Sequence, residues 1–337
     1  MPGHRTLLAA AVLAVTAYDQ RDTVRALASR DDAPNVILVV SDGLRWQEVF
    51  RGADSTILFG SPGALGGNAE AARRKYWRST PGQRREALMP FVWGTLARQG
   101  RALGNRDVGS RVDVTNTFRF SYPGYNEMLT GSPDPRIDRN DYGPNPNVTV
   151  FEWLHRRREF AGRVAAFGTW DTFRDIFNVG RSGIAIQTNG AKPNDIVVHR
   201  QVIPYLREER PRALFVGYAE TDDWGHEGRY DRFLDAAHAV DSYLEDLWSA
   251  IQSHPRYRGR TTLIFAADHG RGRTPSDWMH HGDKVPGAEE TFILGIGPGI
   301  TSGGSPSSGV LGDVARLAAS AVGLRFETPA CADAARC

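Results

Sequence analysis

Short runs of consecutive apolar, mostly β-branched residues alternate along the chain with longer segments whose apolar residues recur at helical spacing. Asn35–Val40, Arg163–Phe167, Ala213–Tyr218, Thr261–Ala266 and Thr291–Ile296 read as strands buried on both faces of a sheet. Between them, Met89–Arg98, Val148–Arg158, Tyr230–Ile251 and Val310–Val322 carry helical patterns. Buried strands alternating with helices predict an α/β fold: a doubly wound, mostly parallel sheet with helices on both faces. Such sheets bind ligands beyond the carboxyl ends of their strands, so the residues that follow each run are the first to inspect. Arg51–Arg85 holds Gly60, Gly63, Gly66 and Gly67 and then a charged helical stretch, and it reads as an insertion over that sheet edge. Gly131–Asn147, rich in Pro, Asp, Asn and Gly, reads as a long ordered loop.

The first residues have a different pattern. His4-Arg5 precedes an apolar stretch from Leu7 to Val15, and Val15-Thr16-Ala17 has the small residues of a cleavage site. That predicts a signal peptide over residues 1–17 and a polar linker over 18–34. A catalytic domain would follow over 35–326, and a tail over 327–337. The apolar stretch is shorter than the roughly 20 residues that span a bilayer, so no stable membrane anchor is expected after processing. Two cysteines, Cys331 and Cys337, both lie in the tail. In an exported protein they can close a terminal disulfide loop. The expected location is periplasmic or secreted.

Composition removes other classes. The 337 residues are 41% hydrophobic, too apolar for a disordered chain. With 41 basic against 39 acidic side chains the net charge is +2, which supplies no nucleic-acid-binding platform. Two terminal cysteines leave the main body without a thiol nucleophile and do not make a metal site by themselves.

Candidate chemistry collects after the strands. Asp42 follows the first, Asp222 and His226 the third, and Asp268-His269 the fourth, while His280-His281 precedes the fifth. Three carboxylates at one sheet edge would repel strongly unless cations neutralise them. Carboxylate oxygen with imidazole nitrogen is a ligand set for zinc, with manganese or iron as alternatives. Asp222 and His226, four apart, can reach one ion from a single helical turn. Asp268 and His269 are adjacent and would point to opposite faces of a strand, so a turn must begin there for both to converge.

The order of these motifs resembles the alkaline phosphatase superfamily, in its nucleotide pyrophosphatase/phosphodiesterase-like branch. The resemblance rests on Asp42-Gly43, on Ser121-Tyr122-Pro123-Gly124-Tyr125 leading to Leu129-Thr130-Gly131, on Asp222 through Gly225-His226, on Asp268-His269-Gly270 and on His281-Gly282. It implies that Ser121 is the nucleophile, at the start of a helix. It also implies two metal ions, one held by Asp42, Asp268 and His269 and touching Ser121, the other held by Asp222, His226 and His281. The activity implied is zinc-dependent hydrolysis of a small-molecule phosphate ester, diester or monoester: Ser121 attacks, a phosphoserine forms, and water cleaves it. A helix N-terminus at Ser121 would add backbone N–H donors for the phosphoryl group. Asn145 and Lys284 are expected as substrate-binding residues, with Asn140 and Arg119 as other candidates. Phe167 to Trp170 and Trp224 could line a leaving-group pocket.

Two departures bear on the class. Sulfatases of the superfamily place an Arg where this chain has Tyr125, which disfavours an oxidised-serine sulfatase. The diesterase branch often shows Asn-His after the Pro, where Gly124-Tyr125 stands here. Other readings of the same residues are a metal-dependent phosphomutase, a sulfate-ester hydrolase and a non-catalytic binding protein. The sequence leaves the oligomeric state open.

Overall fold

The computed structural model describes residues 33–60, 68–190, 194–302 and 307–327. The expected signal peptide, most of the linker and the two cysteines lie outside the described residues. The strands are β1 (Asn35–Ser41), β2 (Arg101–Leu103), β3 (Val112–Asp113), β4 (Val164–Gly168), β5 (Ala185–Thr188), β6 (Ala213–Tyr218), β7 (Thr261–Ala266), β8 (Glu290–Thr291), β9 (Ile293–Ile296) and β10 (Gly309–Val310). The principal helices are α1 (Trp46–Arg51), α2 (Ala69–Tyr76), α3 (Pro81–Leu88), α4 (Ser121–Thr130), α5 (Val150–His155), α6 (Asp195–Glu208), α7 (Glu220–His226), α8 (Tyr230–Ser253) and α9 (Asp313–Ala321).

Seven strands form one sheet in the order β2-β9-β7-β1-β6-β4-β5, and β10-β3-β8 form a small second sheet. Strands β7, β1, β6, β4 and β5 run parallel, and β9 is antiparallel to both of its neighbours. β1 lies between β6 and β7, pairing Val39 with Val216 on one side and with Phe265 on the other. Its side chains alternate between two cores: Ile37 and Val39 pack with α8 residues such as Phe233 and Val240, and Val36, Leu38 and Val40 pack with Leu129 of α4 and Val314 of α9. Burial on both faces is what makes β1 read as an unbroken apolar run. The carboxyl ends of β1, β6 and β7 are therefore adjacent at the centre of the sheet, where the chain crosses from one side to the other.

The predicted fold class matches this architecture, with differences at two elements. The fifth run is two strands: Glu290–Thr291 pairs with β3 in the small sheet, and Ile293–Ile296 turns back antiparallel to β7. Helix α6 is absent from the apolar pattern, which Pro204 and the short spacing to β6 obscure. The 69–88 stretch forms α2 and α3, which pack on α8.

Candidate metal centre and active site

The candidate side chains come from the ends of β1 and β7, the start of α4, helix α7 and the loop after β7. Asp42 directly follows β1, and its backbone N–H donates to the Tyr218 carbonyl at the end of β6 (2.8 Å). Gly43 then turns at φ 58°; a Cβ here would lie 2.6 Å from Asp222 Oδ1 and 3.1 Å from His269 Cε1, so the close packing of the site excludes a side chain at this position. The Gly43 N–H donates to Asp268 Oδ1 (3.0 Å). After β7 the chain bends at Asp268, and Gly270 N–H donates to the Ala288 carbonyl (2.9 Å). The bend brings adjacent Asp268 and His269 into one cluster, with His269 Nε2 3.6 Å from Asp268 Oδ2 and 3.3 Å from Asp42 Oδ1.

Ser121 opens α4, whose ten residues are all buried. Its Oγ lies 3.3 Å from Asp42 Oδ1 and 3.4 Å from His269 Nε2. The helix N-cap is Phe120, in extended conformation, so the Ser121 hydroxyl is not used as a cap. The preceding segment is shaped by Glu127, which accepts from the N–H groups of Thr115 (2.9 Å) and Asn116 (2.8 Å), and by Asn116 Oδ1, which accepts from Phe118 and Arg119. Arg119 takes the left-handed conformation, φ 56°. Gly124 lets the helix approach β7: a Cβ there would stand 2.4 Å from the Asp268 carbonyl oxygen.

Helix α7 starts just after β6 and places Asp222 and His226 on one face, Asp222 Oδ2 being 3.3 Å from His226 Nε2. His281 comes from the loop after β7 and puts Nε2 2.9 Å from His226 Nε2 and 3.8 Å from Asp222 Oδ1. Its neighbour His280 is exposed. Two triads of potential ligand atoms result, Asp42/Asp268/His269 and Asp222/His269/His281. His226 adjoins the second.

The electrostatics of the cluster fit a cation. Asp42 and Asp268 are buried, and burial raises both carboxyls well above the ordinary range, helped by repulsion from Asp222 at Asp42 and from Asp42 and Asp222 at Asp268. Burial would also raise Asp222, but Arg271, His226, His269 and His281 outweigh it and hold the group far below the usual carboxylate value. Burial and the neighbouring His269 push His281 down to about 2, which leaves a neutral imidazole able to donate a lone pair. Asp268 Oδ2 is buried with no hydrogen-bond partner among the described residues. Such an orphaned, anionic, N/O-lined cluster suits one or two divalent ions.

Not every expected residue joins it. Asn145 is fully buried; its Nδ2 donates to Asn126 Oδ1 (3.3 Å) and its carbonyl accepts from Asn178 and Arg181. These partners tie the 131–147 loop to the middle of α4 and to the region after β4, not to Ser121. Asn140 is the residue at the start of α4 next to Ser121, its Oδ1 accepting the Tyr122 N–H (3.0 Å). Spacing alone does not separate the two, because the path of the loop decides which amide returns to the helix start. Lys284 is exposed on the loop beyond His281. Arg119 ion-pairs with Glu289 (3.4 Å). Phe167 is core, edge-on to Tyr205 (5.0 Å), whereas Trp170 lies 6.5 Å from the Tyr125 ring. Arg271, which carries no motif signal, is the buried cation of the site, bonded to Asp222.

Residues 65–293 match the family described as Type I phosphodiesterase / nucleotide pyrophosphatase, well over half of the chain. The chain belongs to this family. Its members are metal-dependent hydrolases, and the His/Asp groups described above are of the kind that hold metal ions. No curated protein shows significant similarity to the sequence. Solved structures share the fold at low identity. A putative sulfatase from Bacteroides thetaiotaomicron is 13% identical with TM-score 0.61, covering 88% of this chain and 72% of its own. An alkaline phosphatase superfamily protein from Vibrio parahaemolyticus is 14% identical with TM-score 0.54, covering 88% and 67%. The inactive murine ectonucleotide pyrophosphatase / phosphodiesterase 5 in complex with AMP is 12% identical with TM-score 0.55, covering 86% and 95%.

Proposed function

We propose that the chain is a zinc-dependent phosphodiester hydrolase that works through a phosphoserine on Ser121. The observation that carries this reading is the Ser121 Oγ, at the start of a buried helix and 3.3 and 3.4 Å from Asp42 and His269. Asp42, Asp268 and His269 would hold one zinc and Asp222, His226 and His281 the other. Zinc at these places supplies Lewis-acid stabilisation of the phosphoryl oxygens and favours the serine alkoxide.

The chain's own groups do the rest. The Ser121 oxygen bonds to phosphorus as the bond to the leaving alkoxide breaks, and the serine proton ends on that alkoxide; the oxygen of a water then bonds to phosphorus as the bond to Ser121 breaks, and a proton of that water ends on the Ser121 oxygen. Of the first-turn donors, the Tyr122 N–H is taken by Asn140 and Pro123 has none. That leaves the N–H of Ser121 itself and the free Nδ2 of Asn140 to hold the phosphoryl oxygens, in place of the several backbone donors expected from a helix start. The buried neutral Tyr125, in the place of the sulfatase arginine, adds no positive charge for a sulfate ester.

The test is parallel hydrolysis of bis-p-nitrophenyl phosphate, p-nitrophenyl phosphate and p-nitrophenyl sulfate by chelated, zinc-reloaded and Ser121→Ala protein. Zinc-dependent cleavage of the diester that is lost in the variant is expected. Turnover that survives chelation, or a preference for the sulfate, contradicts the reading.

A further inference from the structure

The guanidinium of Arg271 is built into the floor of the second ligand group. It is buried, and it binds three separate segments through backbone carbonyls: Nε to Gly43 (3.2 Å), Nη1 to Met279 (2.6 Å) and Nη2 to Asp222 (2.9 Å). Nη2 also donates to Asp222 Oδ1. Two glycines make the room: a Cβ on Gly225 would lie 2.7 Å from Arg271 Cζ, and one on Gly43 2.9 Å from Nε. One arginine thus joins the turn after β1, helix α7 and the loop that carries His281, and permanently occupies one oxygen of Asp222.

The two ligand groups are therefore unequal in charge. Asp42 and Asp268 bring two carboxylates, and among the described residues neither forms a hydrogen bond or ion pair with an arginine or lysine, Arg271 acting on Asp42 only through space; among the same residues Asp268 Oδ1 accepts the Gly43 N–H and Oδ2 has no hydrogen-bond partner. Asp222 is the single carboxylate of its group, and Arg271 already neutralises it, leaving Oδ2, 3.3 Å from His226 Nε2, as the oxygen that Arg271 does not hold. We infer that Arg271 makes the two zinc sites unequal: the Asp42/Asp268/His269 site binds tightly, and the Asp222/His226/His281 site binds its ion weakly, so that zinc availability sets how much of the enzyme carries both. This rests on the two-ion reading above. A fixed cation beside a divalent ion opposes its binding at short range in a buried site, whatever bonds it makes to hold the loop.

The test is zinc titration of chelated protein, by calorimetry and by metal analysis after dialysis against buffered free zinc. The expected result is two steps whose affinities differ by about 10- to 100-fold, with the weaker step absent in His226→Ala. In Arg271→Met the weaker step tightens toward the first, and in Arg271→Lys, which keeps the charge, it stays weak. Two steps of equal affinity in the unaltered protein, or loosening of the second step in a folded Arg271→Met protein, overturn the inference and leave the two-ion reading standing. Failure to bind any zinc overturns both. If Arg271→Met does not fold, Arg271→Gln, which also removes the charge but keeps an amide donor for the loop carbonyls, is titrated in its place and read in the same way.

Discussion

At the residue scale, two asparagines with the same motif claim have opposite structural roles. Asn140 Oδ1 caps α4 at the Tyr122 N–H, one residue after Ser121, whereas the Asn145 Nδ2 is spent on Asn126 in the middle of α4. Asn140→Ala should lower kcat/KM by about 100-fold with little change in melting temperature. Asn145→Ala should instead cost about 1–3 kcal/mol of stability, because it removes the buried bond to Asn126 Oδ1 and takes from the Asn147 N–H its Asn145 Oδ1 acceptor. Kinetics and thermal melts of the two variants separate the roles; loss of activity confined to Asn145→Ala would refute the assignment. The anionic, imidazole-rich character of the centre was legible in the sequence because Asp42, Asp222, His226, Asp268, His269 and His281 each follow or precede an apolar run. Arg271 was not legible: next to a Gly it reads as an ordinary loop cation, and only the bend after β7 turns it inward.

At the element scale, the four central strands were legible because both faces are buried and the apolar runs are unbroken. The split of the last run into β8 and β9 was not, since Phe292 keeps the run apolar while the backbone changes sheets. Helix α4 depends on close approach to β7, so Gly124→Ala, which sets a Cβ 2.4 Å from the Asp268 carbonyl, should destabilise the protein by about 1–3 kcal/mol and reduce kcat. A chemical melt and a turnover assay check both. A second element-level prediction concerns α6. Asp195, at its first turn, accepts from Ala219 N–H (3.0 Å), Glu220 N–H (3.2 Å) and the Thr169 hydroxyl (3.0 Å). Burial, with Glu220 nearby, pushes its carboxyl from 3.8 up to about 7. The native state then holds a proton that the unfolded chain has released, so this group's contribution to stability is full below about pH 4 and falls as pH rises to about 7. Asp195→Asn should shrink the loss of melting temperature between mildly acidic and mildly alkaline buffer, as thermal scans across pH would show; an unchanged slope would remove Asp195 as its source.

At the scale of the whole molecule, one sheet gathers carboxylates from three strand ends into a volume that water scarcely reaches, and the fold bears their repulsion. Ions bound to the native state alone stabilise it in proportion to the logarithm of their concentration. Chelation should therefore lower the melting temperature, and added zinc should raise it progressively; scanning calorimetry at graded free zinc measures this, and no dependence would argue against bound ions. The proposed reaction turns on one step: Ser121 becomes phosphorylated during turnover. Acid-quenching the zinc-loaded enzyme during steady turnover of bis-p-nitrophenyl phosphate, followed by peptide mass analysis, tests it directly. A phosphoryl ester is expected on the peptide carrying Ser121, absent from chelated protein. Full turnover with that peptide unmodified, or the same turnover in Ser121→Ala, would contradict it.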